Sequence, residues 1–419
     1  MNRLFIFRSA GSGSALILFT LSLAAGSVAA STALTEGQAL QLGLARPAFQ
    51  ELHAGRLEQA WSDVTEAAMR SNPNLEYTRE ENPGDATEHS IWLTQKFSLS
   101  GRRDLARQAA ERHLVATGME NAAQSAERVA EIRRRFFSVL HQQTLEQKVK
   151  AWETRLTGVE AAVRKRERAG DVSGYDRLRI SRERLLIQAR RDRIQVEKDV
   201  ARASLLALIL SSDDSEAEYD ELTGTMLPPE PGVLAELLAR LTEHPDLARL
   251  RTNTDAHGLE IQAAEHARMP DVTLGLGAKH VASGSNEGTG LLLSASMPFP
   301  FSDQAAADRQ RAAARHRVTQ SEYRLALAEA DGRVRGLWGK VRKSRDNARR
   351  FESEAAAASA KLVRIAEAAY HNGEIGVLEL VDAYRGALEA DTQALALAHE
   401  ARQAAIELDL AVGPAGDMP

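Results

Sequence analysis

The chain has 419 residues and a formal net charge of −5, from 53 basic and 58 acidic side chains. This mildly acidic balance gives no electrostatic reason to expect a nucleic-acid partner, and the lack of cysteine excludes disulfides and thiolate metal sites. Aromatic residues make up only 5% of the chain, whereas alanine, arginine, glutamate and leucine are abundant. That composition is typical of long helices rather than of several compact domains.

Residues 1–30 are predicted to be a cleaved signal peptide. Arg3 and Arg8 precede a largely apolar stretch at Ala15–Ala25, and the small residues Val28–Ala30 follow it. The apolar stretch is shorter than the ~20 residues that a membrane-anchoring helix needs. We therefore expect an exported chain. Because it has no cysteine, we expect no lipid anchor at the new N-terminus. No comparable apolar stretch follows, so a membrane location requires a closed β-barrel.

The rest of the chain is predicted to be a tandem repeat. Pro47 and Pro245 each begin an amphipathic helix, and glycine turns at Gly170 and Gly373 follow in the same order, about 200 residues apart. The predicted boundaries are a first repeat at 31–211, an acidic and proline-containing linker at 212–232, a second repeat at 233–413 and a tail at 414–419.

Each repeat contains a predicted β-hairpin, at about 74–99 and about 271–298. Apolar residues alternate with polar or small ones along each strand. The apolar rows are Leu75 and Tyr77, Ile91 and Leu93, Val272 to Ala278, and Leu291 to Met297. The strands run about 8–11 residues, the length that a tilted strand needs to cross a bilayer.

A proline-free stretch with helical spacing follows each hairpin, at Gly101–Ala169 and at Ser302–His371. About 70 helical residues form a rod on the order of 100 Å long, and such a rod must pack in a bundle to bury its apolar stripe. Return helices are expected at roughly Tyr175–Leu210 and Leu378–Val412. The predicted fold class is therefore mainly α with a small β part.

The turns that join these helices share one pattern, at about 169–177 and about 372–380. Gly170, Asp171, Val172 and Asp176 stand where Gly373, Glu374, Ile375 and Glu379 stand in the second repeat. Each glycine suits a reversal between helices that needs a positive φ angle.

This order of elements resembles the TolC-type outer-membrane efflux channels over nearly the whole mature chain. The closest similarity is to the outer-membrane component of the cobalt–zinc–cadmium type of heavy-metal exporters. The sequence segments that show this similarity are Asn72–Tyr77, Leu93–Arg107, Pro270–Leu276, Met297–Asp303 and Gly373–Ala383. The resemblance implies a homotrimer in the outer-membrane lipid of a Gram-negative bacterium, with a twelve-stranded β-barrel continued by a periplasmic helical tunnel.

The resemblance also implies that both turns lie at the periplasmic mouth. There they would contact a periplasmic adaptor protein, which bridges to an inner-membrane pump of the RND type. The expected contact residues are Gly170, Asp171, Val172, Ser173, Gly373, Glu374, Ile375, Gly376 and Val377, with the side chains of Val172, Ser173, Ile375 and Val377 exposed. The alternative is that these residues only close two helical hairpins.

Four residues near the turns match the gate of this family. Glu379 and Asp382 share one helical face, and in a trimer each would form a ring of three carboxylates around the constriction. Tyr370 matches a tyrosine that in the family helps to hold the inner helices of the closed channel together. Asp176 matches the acidic partner of that tyrosine. The family's best-known channel has an arginine where Ile375 stands here, so this chain departs from the family pattern at one contact of the closed gate. The alternative for Glu379 and Asp382 is a solvated helix face.

Other functions receive less support from the sequence. A periplasmic coiled-coil adaptor without a pore is the main alternative, although an adaptor usually has one helical hairpin rather than two. No nucleophile or acid–base motif indicates an enzyme, and no cofactor is expected. The eleven histidines match no metal-ligand spacing, so no metal site is predicted. A heavy-metal substrate is implied by the resemblance alone.

Overall fold

The computed structural model describes residues 33–82, 86–211, 219, 221–283, 285–299 and 305–413. The expected signal peptide, most of the acidic part of the linker and the tail at 414–419 lie outside these residues. The elements of the first half are β1 (Leu34–Thr35), α1 (Glu36–Ala45), α2 (Pro47–Ala68), β2 (Asn74–Asn82), β3 (Ala86–Phe97), α3 (Arg102–Arg168) and α4 (Gly174–Ile209).

The second half repeats this order with small differences. Its elements are β4 (Leu222–Thr223), α5 (Leu234–Arg240), a 3-10 turn (Leu241–Glu243), α6 (Pro245–His266), β5 (Val272–Ser283), β6 (Asn286–Ser296), α7 (Ala305–Phe351), a π-helical turn (Glu352–Ala356), α8 (Ala357–His371) and α9 (Val377–Val412).

The short helices begin where local chemistry favours a start. Thr35 caps α1 and exchanges two hydrogen bonds with Gln38. Pro47 and Pro245 occupy the first turns of α2 and α6, where a missing N–H costs nothing. The sequence pattern predicts one buried face of α2 that contains Leu52, Leu57, Ala60 and Val64. Ala60 and Val64 are buried as predicted, whereas Leu52 and Leu57 are exposed.

The long helices differ between the two halves. Helix α3 is unbroken over 67 residues, about 100 Å at 1.5 Å per residue. The corresponding arm of the second half is divided into α7 and α8 by the five-residue π turn. The return helices α4 and α9 have 36 residues each. No helix in the described ranges has an apolar stretch long enough to cross a membrane.

Three apolar clusters are spaced along the bundle. The cluster nearest the turns joins α3, α4, α8 and α9 through buried residues that include Leu156, Ile180, Val363 and Leu380. A middle cluster contains Phe136 and Phe137, and a third packs α9 on α7. Burial of each large apolar side chain contributes about 1.5–3 kcal/mol. The first two clusters contain residues of both repeats and therefore hold the repeats together.

The two hairpins form one antiparallel sheet with the strand order β2-β3-β5-β6. Strand β3 pairs with β5, so Leu93 lies opposite Leu75 on one side and Leu276 on the other. Leu276 in turn pairs with Leu293. The alternation in the sequence is thereby confirmed as one continuous apolar row. In the described protomer β2 and β6 are the edges of this sheet.

The segment between the repeats is fastened to the helices. Strands β1 and β4 pair in parallel through Leu34 and Leu222, and Gln143 hydrogen-bonds both backbone groups of Leu222. The buried guanidinium of Arg402 donates to the carbonyls of Thr225, Met226 and Leu227. These bonds satisfy backbone groups that a loop would otherwise leave unpaired.

Candidate functional site: the helical tips and the sheet face

The two turns between the long helices have the same backbone hydrogen bonds. Gly170 N–H donates to the Glu167 carbonyl and Asp171 N–H to that of Arg166, at 3.0 and 2.9 Å. In the second turn Gly373 N–H donates to Tyr370 and Glu374 N–H to Ala369, at 3.2 and 2.9 Å. Each is a Schellman motif. It places the glycine in the left-handed region, with φ of +84° and +76°. We call residues 169–176 and 372–379 the first and second tips.

At the start of each return helix, the acidic residue at the third position forms a hydrogen bond with the residue that precedes the helix. Ser173 caps α4, accepting from Asp176 N–H at 3.2 Å and donating its hydroxyl to the Asp176 carboxylate at 2.7 Å. Gly376 precedes α9, and its N–H donates to the Glu379 carboxylate at 3.1 Å. A carboxylate at a helix N-terminus is also stabilised by the helix dipole. Glu379 and Asp176 therefore have a structural role in addition to the gate role expected for them.

The exposure expected for the contact residues is corrected at three positions. Val377 is buried in the apolar cluster nearest the tips, with 4% of its surface exposed, and Val172 and Ile375 are half-buried against the same cluster. Apolar side chains at the starts of α4 and α9 face inward because they close the ends of the bundle. Of the expected contact residues, Gly170, Asp171, Ser173, Gly373, Glu374 and Gly376 are exposed.

Glu379 and Asp382 are both exposed and line one open groove between α8 and α9. The groove has a volume of about 740 Å³, and its floor includes Leu362, Ile365 and Leu378, whose side chains are 60%, 64% and 45% exposed. The two carboxylates give this surface a negative charge. The exposed apolar side chains of the groove give it an apolar face that nothing in the protomer covers.

Tyr370 and Asp176 are not joined by a hydrogen bond within the protomer. Tyr370 is buried, the Arg166 guanidinium lies 5.5 Å from its ring centre, and its hydroxyl has no hydrogen-bond partner among the described residues. Asp176 is engaged by Ser173 instead. The expected contact between Tyr370 and Asp176 stays a prediction, and it would have to form between neighbouring subunits.

An ion pair that was not predicted from the sequence joins the two helix pairs. We call α3 and α4 the first helix pair, and α7–α8 and α9 the second. Glu183 on α4 is 6% exposed and accepts two hydrogen bonds from Arg385 on α9. The available signal was an acid within the buried stripe of Ile180, Ile187 and Ile194, where an unpaired charge would be costly.

Two further polar contacts lie beside this pair. Trp152 N–H donates to Asp391 at 3.1 Å, with Lys148 at 3.4 Å from the same carboxylate. Tyr384 donates its hydroxyl to Glu367 at 2.8 Å, and burial raises the pKa of Tyr384 so that it keeps the proton it donates. The second helix pair is thus internally tied, and α9 is also tied to α3.

At the opposite end of the helices, one face of the sheet is a band of exposed apolar side chains. Its members are Leu75, Tyr77, Ile91, Leu93, Leu274, Leu276, Leu291 and Leu293, each 47–84% exposed. The other face carries Trp92, whose indole packs over Gly277 so closely that a Cβ there would lie 2.8 Å from the ring. The two faces therefore differ in character, as expected where only one contacts an apolar solvent.

Comparisons with known proteins agree with this architecture. The sequence model described as "Outer membrane efflux protein" matches residues 238–414. The chain is 23% identical over 367 residues to the cobalt-zinc-cadmium resistance protein CzcC of Cupriavidus metallidurans, covering 86% of this chain and 85% of the relative.

Solved structures show the same fold. The outer membrane protein VceC of Vibrio cholerae matches with a TM-score of 0.72 and 17% identity, covering 90% of this chain and 96% of that one. A membrane protein from Pseudomonas aeruginosa matches with a TM-score of 0.73 and 18% identity, covering 90% and 92%. Together with the match of the outer membrane efflux protein model to residues 238–414, these similarities confirm the resemblance to TolC-type outer-membrane channels.

Proposed function

We propose that this protein is the outer-membrane channel of a tripartite efflux system and that it passively conducts substrate from an inner-membrane pump and a periplasmic adaptor to the exterior. One observation carries the proposal. Helices about 100 Å long separate a pair of matched, solvent-exposed tips from a sheet with an exposed apolar face. Such a molecule can contact a lipid phase at one end and a protein partner at the other.

The working form is proposed to be a homotrimer. The four-stranded sheet of one protomer has two open edges, β2 and β6, and unpaired strand edges are unfavourable in lipid. Three copies joined edge to edge would satisfy those backbone groups in a closed twelve-stranded barrel. The apolar groove between α8 and α9 would likewise be covered by a neighbouring subunit.

Both tips are proposed to dock the periplasmic adaptor, which connects the channel to an inner-membrane RND pump. Two Schellman turns with the same hydrogen bonds offer the adaptor similar backbone surfaces twice in each protomer. The exposed acids Asp171 and Glu374 occupy the same position in both turns. We expect these acids and the neighbouring backbone, rather than the buried Val377, to make the contact.

Glu379 and Asp382 are proposed to form the periplasmic gate. In a trimer they would place two rings of carboxylates at the mouth of the tunnel, close to the exposed end of α9. Rings of acidic side chains favour cations and are used in cation-selective pores. The cap that Glu379 provides to α9 would hold its carboxylate in a fixed position within such a ring.

Divalent heavy-metal cations are the proposed substrate class. The support is the similarity to a protein named for cobalt, zinc and cadmium resistance together with the acidic character of the mouth. A channel of this kind need not bind its substrate tightly, because flux requires release.

The proposal is tested by fractionation, conductance and resistance. Full-length protein expressed with its signal peptide should be recovered from outer membranes as a trimer and should form cation-selective pores in planar bilayers. Deletion of the gene should sensitise cells to cobalt, zinc or cadmium, and the wild-type gene should restore resistance. Recovery as a soluble periplasmic monomer would exclude the channel. Resistance unchanged by deletion would exclude only the metal substrate.

A further inference from the structure

Two histidines and one glutamate come together where α3 packs against α6. His257 and Glu260 lie one turn apart on α6, and His113 approaches them from α3. Nε2 of His113 is 3.1 Å from Oε1 of Glu260, and Nδ1 of His257 is 3.0 Å from Oε2. All three potential ligand atoms lie within 4.8 Å of one another.

The cluster has the burial and the support that a metal site needs. The side chains of His113, His257 and Glu260 are 38%, 17% and 28% exposed, so an ion can enter from solvent. Asn253 Oδ1 lies 3.1 Å from the second ring nitrogen of His113. A hydrogen bond of this kind commonly orients a metal-bound imidazole and fixes its tautomer. The site thus has a second shell as well as three candidate ligands.

We propose that His113, His257 and Glu260 form a binding site for a borderline divalent transition-metal cation, with Zn²⁺ as the reference ion. Imidazole nitrogens suit zinc, copper and nickel, whereas magnesium and calcium prefer sites built from oxygen ligands alone. Ligand atoms around a tetrahedral zinc ion lie about 3.3 Å apart at bond lengths of about 2.0–2.1 Å. The glutamate–histidine separations are already close to that value.

Three protein ligands leave one position for water, as in zinc sites that exchange ligands rather than in closed structural sites. The site lies on α3 eleven residues after Arg102, where the helix begins, which is about 16 Å from the sheet end of the helix. An ion held here would be bound reversibly in the helical part of the protein near the membrane. It would also crosslink α3 to α6.

Without an ion, hydrogen bonds hold the same three residues together. Both imidazoles share hydrogen bonds with the Glu260 carboxylate, and Arg315 lies 3.9 Å from the same carboxylate. A cation must displace the protons that bridge these groups, so binding should release protons and weaken in acid. A purely structural ion-pair network would show neither effect with zinc.

The site is tested by zinc titration of the untagged, full-length protein in detergent, followed by calorimetry in two buffers of different ionisation enthalpy. We expect about one zinc ion per chain with proton release. His113→Asn, His257→Asn and Glu260→Gln should each weaken binding more than tenfold. Asn253→Ala should weaken it about tenfold through the second shell. The matched control His280→Asn removes a histidine of the sheet that bonds Thr289 and should bind zinc as the wild type does.

X-ray absorption of the zinc-loaded wild type provides a readout that needs no variant, and it should show imidazole ligands. The proposal is overturned if the wild type binds no zinc, if correctly folded His257→Asn binds it equally well, or if equimolar Mg²⁺ displaces it. The measurement uses purified protein and does not depend on export, so its failure leaves the proposed channel function untouched.

Discussion

Arg385 and Glu183 form a two-point ion pair between helices whose positions are 202 residues apart in the sequence. The Nε atom of Arg385 lies 2.7 Å from Oε1 of Glu183, and a second nitrogen donates to Oε2. Arg385 follows Gly373 by nearly the same number of residues as Glu183 follows Gly170. The bond therefore joins the two helix pairs at one height above the tips, where it can resist their separation.

Replacing Arg385 with alanine should loosen the contact between the first and second helix pairs. Hydrogen bonds to charged groups contribute about 1.5–3 kcal/mol, and the change leaves a buried carboxylate without its partner. We expect a larger resting conductance in planar bilayers and a lower thermal midpoint. Arg193→Ala, which removes an exposed arginine 3.5 Å from Glu197, is the matched control. Adding Glu183→Gln to Arg385→Ala should recover part of the stability, and an unchanged conductance in the single variant would argue against this role.

The negative charge of the proposed gate can be removed without removing the cap that Glu379 provides to α9. Glu379→Gln with Asp382→Asn keeps an acceptor for the Gly376 N–H but eliminates both carboxylates. Block of the channel by multivalent cations should weaken, with little loss of stability. Glu379→Ala with Asp382→Ala should weaken block equally, widen the mouth and also fray the start of α9. Asp171→Asn, which removes an exposed carboxylate of the first tip outside the proposed gate, is the control. Unaltered block in both double variants would reject the gate.

Charge reversal at the exposed tip positions should disrupt adaptor docking without disturbing the trimer. Asp171→Arg together with Glu374→Arg changes two exposed side chains at equivalent positions. We expect loss of resistance in cells and loss of adaptor pull-down, with normal trimer on native gels. Val172 and Ile375 are poor positions for this test, because a charge there would enter the apolar cluster. Full resistance in the double reversal variant would contradict docking through these acids.

The tip glycines should be intolerant of a side chain for reasons of backbone conformation alone. No atom lies within 4 Å of a Cβ built on Gly170 or Gly373, yet both have a positive φ. Alanine in this region costs about 1–2 kcal/mol, so each substitution should lower the thermal midpoint and increase cleavage at the tip. Gly158→Ala, in the interior of α3 with equally open surroundings, should instead stabilise the helix by about 1 kcal/mol. Equal effects at the three positions would refute this explanation.

Acidification should destabilise the junction of α3 and α9 through His141 and His399, whose ring centres are 4.6 Å apart. Burial lowers the pKa of both imidazoles, and the neighbouring His141 lowers that of His399 further, from 6.5 to about 4. The unfolded chain therefore binds more protons below about pH 6.5, and this contribution to stability is lost as the pH falls towards about 4. The difference between the thermal midpoints at pH 7.5 and pH 5 should be smaller in His399→Asn than in the wild type. In the exposed control His371→Asn the difference should stay as large as in the wild type.

The sequence by itself determined the order of elements and the geometry of the turns. Those features depend on neighbours in the chain: glycines at Gly170 and Gly373 end helices, prolines begin them, and alternation along β5 and β6 assigns each side chain to a face. A period-2 or period-3.6 pattern is sufficient for such inferences.

Only the tertiary structure decided which of these residues work together. Val377 is apolar at an exposed-looking turn, and its burial depends on how four helix ends pack. The pairing of Glu183 with Arg385 and the meeting of His113 with Glu260 join segments more than 140 residues apart, so no local spacing indicates them. Contacts across helices depend on rotation and height in the bundle. Because neither is fixed by one helix alone, these sites become visible only after the helices are packed.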